Sequence, residues 1–252
     1  MKIAIISSVI GNLPVMKQCL STWFPLPDNW EVYIYKSKCT YIDGTSDYLD
    51  SLKNERGVHI IEDGEHRRHN EAIRILLDEV KKNKFDWMLH LDSDVELLDK
   101  KFYSWANEAI LKEKYTVWGN NHIRASSKID AEKKILYLGR AHSWLIFTNI
   151  EFLIKNDLNF DDFNVEGHIT SRTVPQTFSD PNQMLNTGDN IRIFGDIGWQ
   201  IYTDAARFKL YQNLPDEICK MWSHKSNKSS KWFRENREKI EKLLNKTNEN
   251  SN

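Results

Sequence analysis

Trp87-Met88-Leu89-His90-Leu91-Asp92-Ser93-Asp94-Val95-Glu96 is the stretch on which the fold turns. Its first five residues are apolar apart from one histidine, the pattern of a buried strand. Two aspartates follow at once, one residue apart, where the apolar run stops. Carboxylate oxygens on a rigid element suit hard divalent cations such as Mg2+ and Mn2+. Asp-x-Asp is also common in solvated turns, so the pair takes its meaning from what surrounds it.

Upstream, the chain alternates. Residues 2–9 are a β-branched run that suits a parallel strand. Residues 12–23 suit a helix with Pro14 in its first turn. A second strand is expected at 30–35, a turn at Asp43-Gly44, a short helix at 46–53 and a third strand at 58–62. Residues 69–82 place Ala72, Ile73, Leu76, Leu77 and Val80 on one helical face, and the strand at 87–91 follows. Alternation of this kind predicts an α/β domain with a mostly parallel sheet flanked by helices. Ligands of such sheets bind outside the carboxyl ends of the strands, which is where the aspartates fall.

Downstream the pattern is less regular. A helix is expected at 101–113, strands at 115–119 and 135–147 (interrupted at Gly139), a short helix at 150–155, and loop over 157–189. A helix at 197–206, a strand at 208–213 and an amphipathic helix at 230–245 complete the reading. The expected division is one domain over 1–228 and a C-terminal helix with a polar tail over 229–252.

Composition narrows the function. Of 252 residues, 40% are hydrophobic and 28% charged, enough for a core and against disorder. A net charge of -1 gives no electrostatic case for nucleic acid. Cys19, Cys39 and Cys219 are too scattered for a metal-type pair and fit a reducing compartment. No run approaches the roughly 18 apolar residues of a spanning helix, and the N-terminal run is too short for a signal peptide. A cytoplasmic protein is expected. The nine tryptophans suit a core, and aromatic rings also stack on sugars.

Taken together, these segments resemble GT-A glycosyltransferases of the family 2 group, nucleotide-diphospho-sugar transferases whose signature is an Asp-x-Asp after the fourth strand. Four other stretches carry the resemblance: the opening strand and helix; His66-Arg67-Arg68-His69-Asn70-Glu71-Ala72; Gly195-Asp196-Ile197-Gly198-Trp199-Gln200; and Met221-Trp222-Ser223-His224-Lys225 with the residues through Ser230. It implies a metal-dependent, inverting glycosyltransferase with Mn2+ or Mg2+ as cofactor. Asp94 would be the principal metal ligand and His224 a second, with Asp92 on the donor ribose or on the metal through water. Asp196 would be the catalytic base. Ser7, Ser8, Arg68, Asn70, Ser93 and Lys228 would contact the donor, and Trp199 and Trp222 the acceptor. The implied partners are a nucleotide-sugar donor, UDP-linked by expectation, and a glycan or lipid-linked acceptor in polysaccharide biosynthesis.

Other readings stay open. Asp196 caps a helix equally well, His224 suits a surface, Glu96 can join the metal site or be solvated, and both tryptophans can be core. The family's Asp at the end of the second strand is missing: Tyr35-Lys36-Ser37 stands there, with Asp43 and Asp47 later. Gly195 replaces the usual Glu before the base. A non-catalytic sugar- or nucleotide-binding module therefore remains, and less so a HAD-type phosphohydrolase. The segment from Lys225 to Arg234 mixes basic and aromatic residues. It suits a peripheral membrane contact, a cover over the donor, or packing on the domain.

Overall fold

The structure is a computed structural model. It describes residues 1–112, 114–120, 128–130, 135–137, 144–160, 163–168, 190–195, 199–225 and 228–249. The chain forms two compact units, Met1–Lys112 with Pro215–Asn252, and Glu113–Leu214.

The first unit opens β1 (Ile3–Val9), α1 (Leu13–Trp23), β2 (Trp30–Lys36), α2 (Thr45–Ser51), β3 (Val58–Ile61), α3 (His69–Lys82), β4 (Trp87–Leu91), β5 (Val95–Leu97) and α4 (Lys101–Lys112). Its main strands stand in the order β4-β1-β2-β3 and all run parallel. Every residue of β1 and of β4 is buried, as their apolar runs require. The apolar face of α3 is buried as its spacing predicts, and Glu71 closes its first turn by accepting from the Arg68 N–H at 2.9 Å. The strand order matters for function. From β1 the chain steps out to β2 and β3, then returns to the other side of β1 as β4. The β1/β4 boundary is thus a topological switch point, with its crevice at the carboxyl ends.

The second unit holds β6 (Val117–Gly119), β7 (Lys128–Asp130), β8 (Ile135–Tyr137), β9 (Leu145–Asn149), α5 (Ile150–Lys155), β10 (Phe163–His168), β11 (Asn190–Gly195), α6 (Trp199–Arg207) and β12 (Tyr211–Asn213). β12, β6 and β9 are neighbours, and β10-β11-β8-β7 form a four-stranded sheet. β10 lies in the stretch read as loop, which is a correction. Antiparallel pairing with β11 forms it, a non-local contact that no local periodicity announces.

The chain then returns to the first unit with α7 (Asp216–Cys219), β13 (Trp222–His224), α8 (Lys228–Glu235) and α9 (Arg237–Glu249). β13 pairs antiparallel with β5. The C-terminal helix expected at 230–245 is two helices that meet at Asn236, whose side-chain amide and backbone N–H both donate to the Trp232 carbonyl at 3.0 Å. α8 packs on its own unit. The Trp232 ring lies against the bare Cα of Gly11, where an added Cβ would come within 2.1 Å of it. Phe233 stacks on His66 with ring centroids 5.7 Å apart, and Asn12 Nδ2 donates to the Lys228 carbonyl at 3.2 Å. No described helix is long and apolar enough to cross a membrane.

Candidate metal and donor site

The acidic pair does not sit on an extended strand. Asp92-Ser93-Asp94 makes a tight turn between β4 and β5, closed by Val95 N–H to the Asp92 carbonyl at 3.2 Å. β5 is pinned from below by α1: Trp23 Nε1 donates to the Val95 carbonyl and Thr22 Oγ1 accepts from Leu97 N–H, each at 2.9 Å. The β5/β13 register sets His224 opposite Val95, and Lys225 N–H donates to the Asp94 carbonyl at 2.9 Å. The result is convergence. His224 Nε2 lies 3.2 Å from Asp94 Oδ1 and 3.9 Å from Asp92 Oδ2. One ligand atom from each of the three residues lies within 4.8 Å of the other two.

The surroundings assign the remaining groups. Asp94 is buried and Asp92 half-buried. Glu96 is not part of the cluster. It pairs with Lys225 Nζ at 2.8 Å and accepts from Gln18 Nε2 at 3.3 Å. The Lys225 hydrogen bond holds its carboxyl below the usual range. Cys19 is wholly buried, and desolvation together with the Asp94 charge pushes its thiol up to about 12, so it stays an inert thiol.

The sequence-derived donor residues divide. Ser8 Oγ lies 2.6 Å from His69 Nδ1, and His69 Nε2 lies 3.6 Å from Asp92 Oδ1, so Ser8 belongs to the same crevice through His69. Ser7 alternates to the other face of β1 from Ser8 and is wholly buried. Ser93 is buried within the turn. Arg68 is exposed at the start of α3, Asn70 half-buried in its first turn, and Lys228 exposed at the start of α8. Trp222 is corrected: it is buried and packs edge-on against Phe102 at 4.7 Å, so its ring is core and not a sugar platform. Trp199 opens α6, half-buried. Asp196 lies outside the described residues.

The absent base-reading Asp has a structural counterpart. β2 ends in Lys36, whose ammonium is buried between Glu62 at 2.6 Å and Asp50 at 3.0 Å. Asp43 is occupied elsewhere: its carboxylate accepts from the N–H groups of Asn12 at 2.7 Å and Leu13 at 3.1 Å at the start of α1, and of Thr45 at 3.2 Å at the start of α2.

His69, within a segment the sequence analysis quoted but not as a candidate ligand, and His90, which it did not name as a candidate, both stand beside Asp92. A signal was present, since His90 is the one polar residue of an apolar strand and stands two residues before Asp92.

No protein-family profile matches the sequence, and no curated protein does. Solved structures do. A mannosyltransferase from Pyrobaculum calidifontis, in complex with GDP-Man and Mn2+, superposes at a TM-score of 0.50 with 16% identity over 64% of this chain and 47% of that one. Residues 1–349 of S. aureus TarS in complex with UDP-GlcNAc match at 0.48 with 16% identity over 64% and 49%. The chain therefore spans about half the length of these structures. The likeness is one of fold: a GT-A arrangement with a mostly parallel central sheet flanked by helices.

Proposed function

We propose that this protein is a metal-dependent, inverting glycosyltransferase that moves a sugar from a nucleotide-diphosphate donor to an acceptor hydroxyl. One observation carries the reading: Asp92, Asp94 and His224 converge at the carboxyl end of a parallel sheet, beside its switch point, on a GT-A fold.

The donor set fits a hard cation. Two carboxylates and one imidazole stand at separations of 3.2 and 3.9 Å, which suit neighbouring ligands of one ion. Asp94 and His224 would hold Mn2+ or Mg2+, with Asp92 completing the set. Bound there, the ion supplies neutralising charge to a leaving diphosphate. The chain's own residues do the rest. Arg68 and Lys228 bring positive charge to the phosphates, and the α3 N-terminus adds its orphan N–H groups. Asp196 takes the proton of the acceptor hydroxyl as the new C–O bond forms at the anomeric carbon and the bond to the donor phosphate breaks on the opposite face. Support for Asp196 is its sequence position, between β11 and α6. With Lys36 and Asp43 otherwise engaged, the base is read by groups other than a β2 aspartate. We take UDP as its carrier and a glycan or lipid-linked hydroxyl, as in surface polysaccharide assembly, as the acceptor.

The test is a thermal-shift panel of UDP- and GDP-sugars with and without Mn2+, followed by transfer assays on the binders. A metal-dependent shift that Asp94→Asn removes supports the proposal. Binding without turnover on any acceptor returns the protein to the non-catalytic reading, and no nucleotide-sugar binding at all overturns it. Flotation with anionic liposomes separately tests a membrane contact by the C-terminal segment.

A further inference from the structure

We infer that His69, His90 and Asp92 form a second cation site, rich in nitrogen donors, of the kind that takes Zn2+. The site lies in the β1/β4 crevice. His90 is the penultimate residue of β4, wholly buried and in register with Ile6 of β1. His69 is the first residue of α3, and its side chain is 34% exposed, which gives an ion a route in from solvent.

Three features favour ligation over plain packing. First, one ligand atom from each residue lies within 4.8 Å of the other two. His69 Nε2 and Asp92 Oδ1 are 3.6 Å apart, too far for an N–H···O hydrogen bond. Ligands about 2.0–2.1 Å from a tetrahedral ion are about 3.3 Å from each other, so a small adjustment closes the set. Second, Ser8 Oγ, 2.6 Å from His69 Nδ1, is placed to accept the Nδ1 proton. A hydroxyl in that role would orient the ring with Nε2 toward Asp92, the outer-shell support that ligating histidines have. Third, the His69 and His90 rings meet edge-on, with centroids 5.5 Å apart and planes 61° apart, so they converge instead of stacking.

Asp92 faces both clusters. Its Oδ1 turns to His69 and its Oδ2 to His224, the arrangement of a bridging carboxylate. The two sets differ in chemistry: two imidazoles and one carboxylate here, two carboxylates and one imidazole there. Imidazole favours Zn2+ and carboxylate favours Mg2+ or Mn2+. A cation on the histidines also fixes the rotamer of Asp92, and with it the second oxygen offered to the neighbouring ion.

The full chain, stripped with a chelator, is titrated with Zn2+, Mn2+ and the optical probe Co2+ in the absence of nucleotide. Zn2+ is expected to bind tightly in wild type and in Asp94→Asn, while Mn2+ binding is lost in Asp94→Asn. His69→Ala lies at the surface end of α3 and should keep the fold; circular dichroism checks it. It should weaken Zn2+ by about 10–100-fold or more and remove the Co2+ visible band, with Mn2+ binding kept. Equal Zn2+ affinity in His69→Ala and wild type overturns the inference. So does loss of Zn2+ and Mn2+ together in Asp94→Asn, which would mean a single site. Because the readout uses no nucleotide, failure of the glycosyltransferase reading leaves this result unaffected.

Discussion

His224 Nε2 stands 3.2 Å from Asp94 Oδ1 although 130 positions (224 − 94) separate the two residues in the chain. The pairing of β13 with β5 brings them together, so the candidate metal set depends on a ladder of two three-residue strands. His224→Ala and Asp94→Asn should each weaken Mn2+ binding by at least about 10–100-fold with little change in secondary structure. Isothermal titration with Mn2+, alongside circular dichroism, reads both. Unchanged Mn2+ affinity in either variant removes that residue from the set.

Asp196→Asn should lower turnover by about 10²–10⁴-fold, the usual worth of a positioned base. Donor affinity should stay near wild type, because the base touches the acceptor. Single-turnover kinetics with separately measured donor Kd distinguish the two effects.

Asp50 makes stability depend on acid. Asp50 has its pKa lowered, first by its hydrogen bond with Lys53 and then by Lys36. A lowered folded-state pKa stabilises the native chain above the ordinary Asp value near 4, and that contribution disappears as pH falls through the folded value. Thermal melts should show the Asp50→Asn penalty at neutral pH shrinking toward zero below about pH 4. Replacing Asp50 and Glu62 together by alanine strands a buried ammonium and should cost about 3–5 kcal/mol.

Gly11 has φ +144°, and the Trp232 ring occupies the space a side chain would take. Gly11→Ala should therefore displace α8 and destabilise the protein by about 1–3 kcal/mol. Adding Trp232→Ala should recover only part of the loss, because the backbone strain at position 11 persists. Urea melts of the two single variants and the double give the coupling.

Elements with a strong local signature were legible in the sequence. α3 and β4 fall at the residues expected, 69–82 and 87–91, because a one-sided apolar face and a short apolar run are local properties. β5 and β13 have three residues each and exist only through one another, so no period in the chain reveals them. That also explains why Asp92 and Asp94 could be chosen by eye while His224 needed a family resemblance. For Trp222 the sequence left an acceptor contact and a core position both open, and only its burial and packing on Phe102 place it in the core. His90 was passed over because a single polar residue inside an apolar strand reads locally as a satisfied core group.

The late return of the chain to its first unit has a consequence for synthesis. Residues 1–112 emerge from the ribosome first, and β1 to β4 can pair as they appear, yet the cation cluster lacks its imidazole until position 224 has been translated. A chain cut before position 224 therefore carries the two aspartates of the cluster without the imidazole that stands beside them.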